Sequence, residues 1–427
     1  MEGRMVLRRM VFVVAVLGFS LVGCKSAPQT GEGEQVAEQP SKYVETECVK
    51  CHTTVTPNIV RDHKSGVMGH EGVDCSDCHG SNHSSADDVA KAQLPTEETC
   101  GECHENQHKQ FMDGKHALGW VALTAMPETG FQPHAYIQGL KGCGGCHKVG
   151  SRTPEQREDS HYGSPCDSCH TRHKFSKEEA SKPEACQTCH MGFDHPQWEM
   201  WSGSKHGVIY QTEGDTGRAP KCQTCHMDGG DHEVMTAWGF LALRLPEADE
   251  EWMGYRATIL KGLGVLDMEG KPTPRLEVVV AGKVARLSAE EWQAERDKMT
   301  AICTKCHSES YAKSNLESAD QMIKEADKLM AEAIERVAEL YTLGILKPAE
   351  GKAAYPDLLT FYGAQSSIEQ TLYVMFLEHR MRTFQGAFHM NPDYTTWYGL
   401  AEMQKDIVEI REKAQEMKAR HAETAAP

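Results

Sequence analysis

Residues 166–207 read CDSCHTRHKFSKEEASKPEACQTCHMGFDHPQWEMWSGSKHG. Two Cys-x-x-Cys-His units stand inside this run, Cys166-Cys169-His170 and Cys186-Cys189-His190. Upstream the same unit recurs as Cys48-Cys51-His52, Cys75-Cys78-His79, Cys100-Cys103-His104 and Cys143-Cys146-His147. Downstream it recurs as Cys222-Cys225-His226 and Cys303-Cys306-His307. With Cys24 set aside, the sixteen others of the 17 cysteines all fall in such a unit. Taking positions as independent, chance supplies about 0.03 units in a chain of this composition.

Two thiols one turn apart reach the two vinyl groups of a porphyrin, and the adjacent His then lies beneath the iron. The eight units therefore predict eight covalently attached c-type haems. Their proximal ligands are His52, His79, His104, His147, His170, His190, His226 and His307. A disulfide scaffold does not place His after every second Cys. Zinc sites built on paired cysteines need no such regularity. The hydrophobic fraction is 39%, under the usual level of roughly 45–50%, so porphyrin is expected to fill part of the core. The net charge of −17 argues against a nucleic-acid partner, because phosphate binding needs a basic face.

The first residues read as an export signal. Arg4, Arg8 and Arg9 precede an apolar run over residues 11–22, too short for a comfortable transmembrane helix. Leu21-Val22-Gly23-Cys24 has the pattern of a bacterial lipobox. Residues 1–24 are thus expected to be a lipoprotein-type signal, with Cys24 lipidated. An ordinary cleaved signal or a short anchor helix is the alternative. Each puts the chain outside the cytoplasm, on the periplasmic side or the cell surface. Residues 25–45 are polar and poor in aromatics and read as a flexible tether.

The expected fold is mainly α. Residues 46–310 hold all eight motifs and read as a multihaem cytochrome c domain with little regular structure. In the longest gap between motifs, Leu276-Glu277-Val278-Val279-Val280 and Val284-Ala285-Arg286-Leu287 flank Ala281-Gly282-Lys283, a small β-hairpin insertion. Residues 311–427 read as a long-helix C-terminal bundle. Met322, Ala326, Leu329, Ala333 and Val337 recur at helical spacing, as do Ile368, Leu372, Met375 and Phe376. Residues 401–421 form a third charged amphipathic stretch. These stripes are packing faces between helices or between subunits.

An iron with two His ligands only passes electrons, whereas one with an open position can bind a small substrate. Spacing alone does not assign the remaining histidines to irons. The 166–207 run, with TEETCGECH, GKHALGW, SYAKSNL and AFHMNPDY elsewhere, resembles the octahaem hydroxylamine oxidoreductase family across most of residues 46–411. The resemblance implies that the haem on Cys143 and Cys146 is catalytic and the other seven are bis-His carriers. It implies distal ligands His83, His116, His173, His206, His232 and His389, plus His70 in preference to His63. It also implies an Asp194–His195 pair over the open face, where a carboxylate-assisted imidazole moves protons. Alternatively His195 is itself a distal ligand. His108, His134, His161, His379 and His421 receive no role, although His134 and His161 flank the fourth motif.

The family's oxidising members cross-link a tyrosine to the catalytic porphyrin. The matching segment here, DYTTWYGLAEM, differs in length, and neither Tyr394 nor Tyr398 aligns cleanly. The expected activity is therefore oxidoreduction of small nitrogen compounds, nitrite or hydroxylamine, with reduction favoured. Hydroxylamine or hydrazine oxidation at the same haem is one alternative, and a non-catalytic electron-transfer protein is the other. The expected partners are a cytochrome or membrane quinol-linked donor, the membrane through the lipid anchor, and, by resemblance, a homotrimer. Lys141, Lys148 and Arg152 read as plain solvated charges, with a basic entrance as the alternative.

Overall fold

Each Cys-x-x-Cys-His closes a helical turn, and the chain wraps short helices around the motifs. They include Glu47–Val55, Cys75–His79, Gly144–His147, Glu184–Gln187 and Cys222–His226. This is a computed structural model, and it describes residues 42–124, 133–137, 141–158, 163–235, 249–275, 289–348, 350, 352–359, 364 and 366–425. Local side chains start many of these helices. Thr46 accepts the amide of Val49 at 3.4 Å, and Asp74 caps the Cys75 turn while Asp77 reaches back to the Asp74 amide at 2.7 Å. Such caps satisfy amides that the first turn leaves without helical partners.

Helices of eight residues or more are numbered in order. They are α1 (Glu47–Val55), α2 (Pro57–Ser65), α3 (Glu105–Asp113), α4 (Lys205–Glu213), α5 (Glu250–Gly262) and α6 (Ala289–Cys303). Then come α7 (Glu309–Thr342), α8 (Ser367–Val374), α9 (Met381–Phe388) and α10 (Ala401–Ala425). A π-helical turn, Met375–Arg380, joins α8 to α9, and a second, Thr396–Leu400, leads into α10.

The apolar core lies in this second half. Ile259 and Leu263 pack with Met330, Ile334, Leu340, Phe376, Met403 and Ile407 in one cluster. Trp252, Ile323, Met381 and Phe384 form another. The mainly α class holds: among the described residues there is no strand, only a single bridge between Leu266 and Pro272. The expected hairpin at 276–287 lies outside the described residues, as do the signal and most of the tether. No helix among the described residues is long and apolar enough to cross a membrane.

The long helix begins earlier than its stripe suggests, at Glu309, because Ser308 caps it by accepting the Tyr311 amide. Its expected stripe is buried at Ala326, Ala333 and Val337, with Leu329 packed against the same cluster, and departs only at its start. Ile323 and Met330 are buried, whereas Met322 is 43% exposed. Helices α5 and α6 were not expected. In α5 the inward positions are Trp252, Arg256 and Ile259, and a buried arginine interrupts the apolar period that would reveal the helix.

Candidate functional site

The imidazoles of the motifs meet imidazoles from distant parts of the chain. His52 faces His83 with ring centres 6.1 Å apart, and His79 faces His173 at 6.1 Å. His190 faces His116 at 6.0 Å, and His170 faces His232 at 6.3 Å. His307 faces His206 at 6.1 Å, and His226 faces His389 at 6.4 Å. An iron bonded to both rings at about 2 Å, with about 1 Å from nitrogen to ring centre, would set the centres about 6 Å apart. The six pairs have that separation.

The ring nitrogens are prepared for the same role. Nδ1–H of His79 donates to the Gln93 carbonyl at 2.8 Å, that of His226 to Met235 at 2.8 Å and that of His389 to Gln385 at 2.7 Å. His232 donates to Gly230 at 2.9 Å, His147 to Gly119 at 2.6 Å and His83 to the Asp88 carboxylate at 3.0 Å. A donor bond at Nδ1 fixes the tautomer and leaves the Nε2 lone pair for a metal. Burial pushes His190 and His389 down to about 4, so both stand as neutral imidazoles, the ligating form. The paired rings, their tautomers and the scarcity of apolar core in this half fit haem.

Among the described residues, His104 and His147 have no facing imidazole. His63 lies against Tyr43 at 6.0 Å, and its buried Nδ1 has no hydrogen-bond partner. His70 is exposed at the end of the Val67–His70 turn. His379 pairs with Asp406 at 2.5 Å, the buried Nε2 of His108 has no partner, and His421 is exposed. His161 lies outside the described residues, as does the side chain of His134.

The fourth motif abuts the sixth. Cys146 Sγ lies 4.0 Å from the Thr188 carbonyl, next in the chain to Cys189. The Cys189 carbonyl in turn takes a hydrogen bond from His195 Nε2 at 2.7 Å, while His195 Nδ1 bonds the Asp194 carboxylate. Both acceptors lack a proton to give, so both nitrogens of His195 carry hydrogen. Burial opposes this charge, yet Asp194 and the Cys189 carbonyl hold the imidazole above its ordinary pKa. The His195 ring also lies 6.1 Å from that of His190, at 89°, but both its nitrogens are engaged by oxygen acceptors, which sets it apart from the six facing pairs.

The C-terminal helices hold the segment carrying this pair. Phe193 stacks on Tyr373 at 6.3 Å, Gln385 Nε2–H donates to the Asp194 carbonyl at 3.2 Å, and Asn391 Nδ2–H donates to Met200 at 2.8 Å. None of Tyr373, Gln385 and Asn391 belongs to a Cys-x-x-Cys-His unit; Asn391 lies in the AFHMNPDY stretch, and no sequence signal marks Gln385. Near the fourth motif, Lys148 and Arg152 line a small cavity with Arg157 and Glu97. Lys148 pairs with Asp167 at 3.5 Å, Arg157 with Glu97 at 2.8 Å, and Arg152 lies over Trp120 at 4.2 Å. Lys141 is exposed.

Residues 71–242 and 275–353 match the family model described as "Seven times multi-haem cytochrome CxxCH", and residues 22–80 match "Cytochrome c554 and c-prime". The first model spans seven of the motifs here and the second takes in Cys48-Cys51-His52. A Kuenenia stuttgartiensis protein named "Probable nitrite reductase-hydroxylamine oxidoreductase fusion protein" is 27% identical over 88% of this chain. The match covers 52% of that protein, so the chain spans about half the length of this relative. A solved "reducing HAO-like protein complex" from the same organism superposes with a TM-score of 0.69 at 24% identity, covering 91% of this chain and 90% of that one. A "Hypothetical multiheme protein" gives 0.67 at 20% identity, covering 90% and 98%. These likenesses bear out the resemblance to hydroxylamine oxidoreductases. With its motifs, its facing histidines and the family model in agreement, the chain belongs to the multihaem CxxCH cytochromes, proteins that carry c-type haem.

Proposed function

We propose that this is an octahaem oxidoreductase of small nitrogen compounds that reduces nitrite or hydroxylamine. On this reading seven irons carry two imidazoles and conduct electrons, six on the facing pairs and one on His104 with His70 or His63, and the fourth, on Cys143, Cys146 and His147, keeps an open face. The Asp194–His195 pair carries the reading. It lies one residue contact from the fourth motif's thiol, and its imidazole gives both N–H groups to acceptors. When bound, haem supplies electron transfer and an iron coordination position. His195 holds a proton at each nitrogen, and Asp194 steadies that charge. Reduction of hydroxylamine to ammonia and water takes up protons together with electrons, so a proton-loaded imidazole suits delivery. The cations Lys148, Arg152 and Arg157 beside the fourth motif suit the approach of an anion such as nitrite. The name of the Kuenenia relative, covering nitrite reduction and hydroxylamine oxidoreduction, supports the substrate class.

The same reading puts the chain outside the cytoplasm, lipid-anchored at Cys24, with a quinol-linked cytochrome as donor and a homotrimer built on the C-terminal helices. It keeps residues 46–310 as the haem domain, with residues 311–427 lending His389 and the clamp on Asp194. The test is a steady-state assay of purified holoprotein with reduced viologen and either nitrite or hydroxylamine, followed by an artificial electron acceptor. Viologen oxidation with ammonia formation is expected. Turnover only with the acceptor would reverse the direction to hydroxylamine or hydrazine oxidation. A uniformly low-spin protein, indifferent to CO and cyanide, would leave an electron conduit.

A further inference from the structure

Two amides from the C-terminal helices reach the segment that bears Asp194 and His195, and they differ in one respect. Asn391 is satisfied at both ends. Its Nδ2–H donates to the Met200 carbonyl at 2.8 Å, and its Oδ1 accepts the Tyr394 amide at 3.2 Å. Gln385 is satisfied at one end only. Its Nε2–H donates to the Asp194 carbonyl at 3.2 Å, and a carbonyl can only accept, so the amide orientation is fixed. Its Oε1 is buried without a hydrogen-bond partner among the described residues, on a side chain only 4% exposed. An unmatched acceptor in a protein interior is costly, and one beside a reaction site is a place for a donor to arrive. Glu199 repeats the pattern in the same segment. One oxygen accepts the Gly192 amide at 3.1 Å, and the other is buried without a partner.

We infer that Gln385 Oε1 accepts a hydrogen bond from the N–H or O–H of the substrate beside Asp194–His195, so the site prefers hydrogen-bond-donating nitrogen compounds such as hydroxylamine to nitrite. The inference rests on the reading of an open fourth haem and narrows its substrate. Hydroxylamine offers hydrogens on both nitrogen and oxygen, whereas ionised nitrite offers none. A site that leaves a polar group unmatched discriminates strongly against the ligand that cannot match it.

The test uses holoprotein carrying Gln385→Met, close in size but without a strong acceptor, and Gln385→Glu, which keeps an acceptor oxygen. Binding of hydroxylamine and of nitrite is measured by stopped-flow difference spectra, with KM and kcat for each. Gln385→Met loses the acceptor and the N–H bond to Asp194 together, and should weaken hydroxylamine about tenfold more than it weakens nitrite. Gln385→Glu also loses the N–H bond to Asp194 but keeps an acceptor, and should weaken hydroxylamine relative to nitrite by less than Gln385→Met does. The bond from His389 Nδ1 goes to the Gln385 main chain, so the low-spin spectrum should be unchanged in both variants. Equal weakening of both ligands assigns Gln385 to the clamp alone and overturns the inference, as does an unchanged hydroxylamine affinity in Gln385→Met. Wild-type protein that binds neither ligand fails differently, because it removes the open iron itself and the inference with it.

Discussion

At the residue scale, two kinds of histidine occupy this array and are told apart by what their nitrogens do. His116 presents its ring to His190 at 6.0 Å, while His195 gives both nitrogens to oxygen acceptors. Substitution should therefore separate them. His195→Ala is expected to lower turnover by about 10²–10⁴-fold, the range for a lost general acid, with all haems retained and the low-spin spectrum intact. His116→Ala should instead open the iron above His190 and add a high-spin, CO-binding signal. Haem content, magnetic spectra and turnover of the two variants are the measurements, and a high-spin signal in His195→Ala would reverse the assignment. Every motif histidine was legible because the spacing of haem attachment marks it. The facing imidazoles were not, because each comes from elsewhere in the chain: His173 follows the fifth motif yet faces His79 of the second, and His116 follows the third yet faces His190 of the sixth. Only the family resemblance marked them, and among the described residues neither His63, which lies against Tyr43, nor the exposed His70 has a facing imidazole. Gln385 was beyond reach, since its meaning depends on a contact with Asp194 across the fold.

At the element scale, α5, α7 and the π-helical turn before α9 are pinned by one carboxylate. Asp327 is fully buried, 2.9 Å from Arg256 Nε and 2.8 Å from Arg380 Nε, and it accepts the Trp252 indole N–H at 2.6 Å. Burial pulls the Arg256 guanidinium below its ordinary range, against the opposing pull of Asp327. Removing a charge from such a centre leaves buried cations uncompensated, which is far worse than never having had the pair. Asp327→Asn is accordingly expected to destabilise the bundle by about 3–5 kcal/mol, read as a fall in the urea midpoint of the far-ultraviolet helix signal. A midpoint shift corresponding to under about 1 kcal/mol, the range of a surface pair, would show that the centre is not structural. The same centre explains why part of the helical layout was hidden. The stripe of Ile368, Leu372, Met375 and Phe376 is wholly buried and reads directly from the sequence. In α5 the inward residue is Arg256, and a charge at a core position looks like a solvated face until its partner is known.

At the scale of the whole molecule, the chain fills its interior in two ways. From Ile259 to Met417 aliphatic and aromatic side chains close a core of their own. Across residues 42–235 the buried apolar residues are scattered, among them Val49, Phe111, Trp120, Met200 and Trp201, and none belongs to either core cluster. That half instead brings imidazoles to a spacing of about one iron. A segment unable to bury enough apolar surface does not repay the entropy of ordering its backbone, so its order must come from porphyrin, by the linkage that makes a bound cofactor part of folding stability. Haem removal should therefore act unevenly. In chain made without haem attachment, limited proteolysis followed by mass spectrometry is expected to find cuts throughout residues 42–235 first. Fragments containing α7 to α10 should persist, because the contacts of Ile334, Phe376 and Ile407 need no cofactor. Loss of those fragments at the same rate would mean that the bundle too is assembled on haem, with the bond between Gln385 and Asp194 and the pairing of His389 with His226 as the points of dependence.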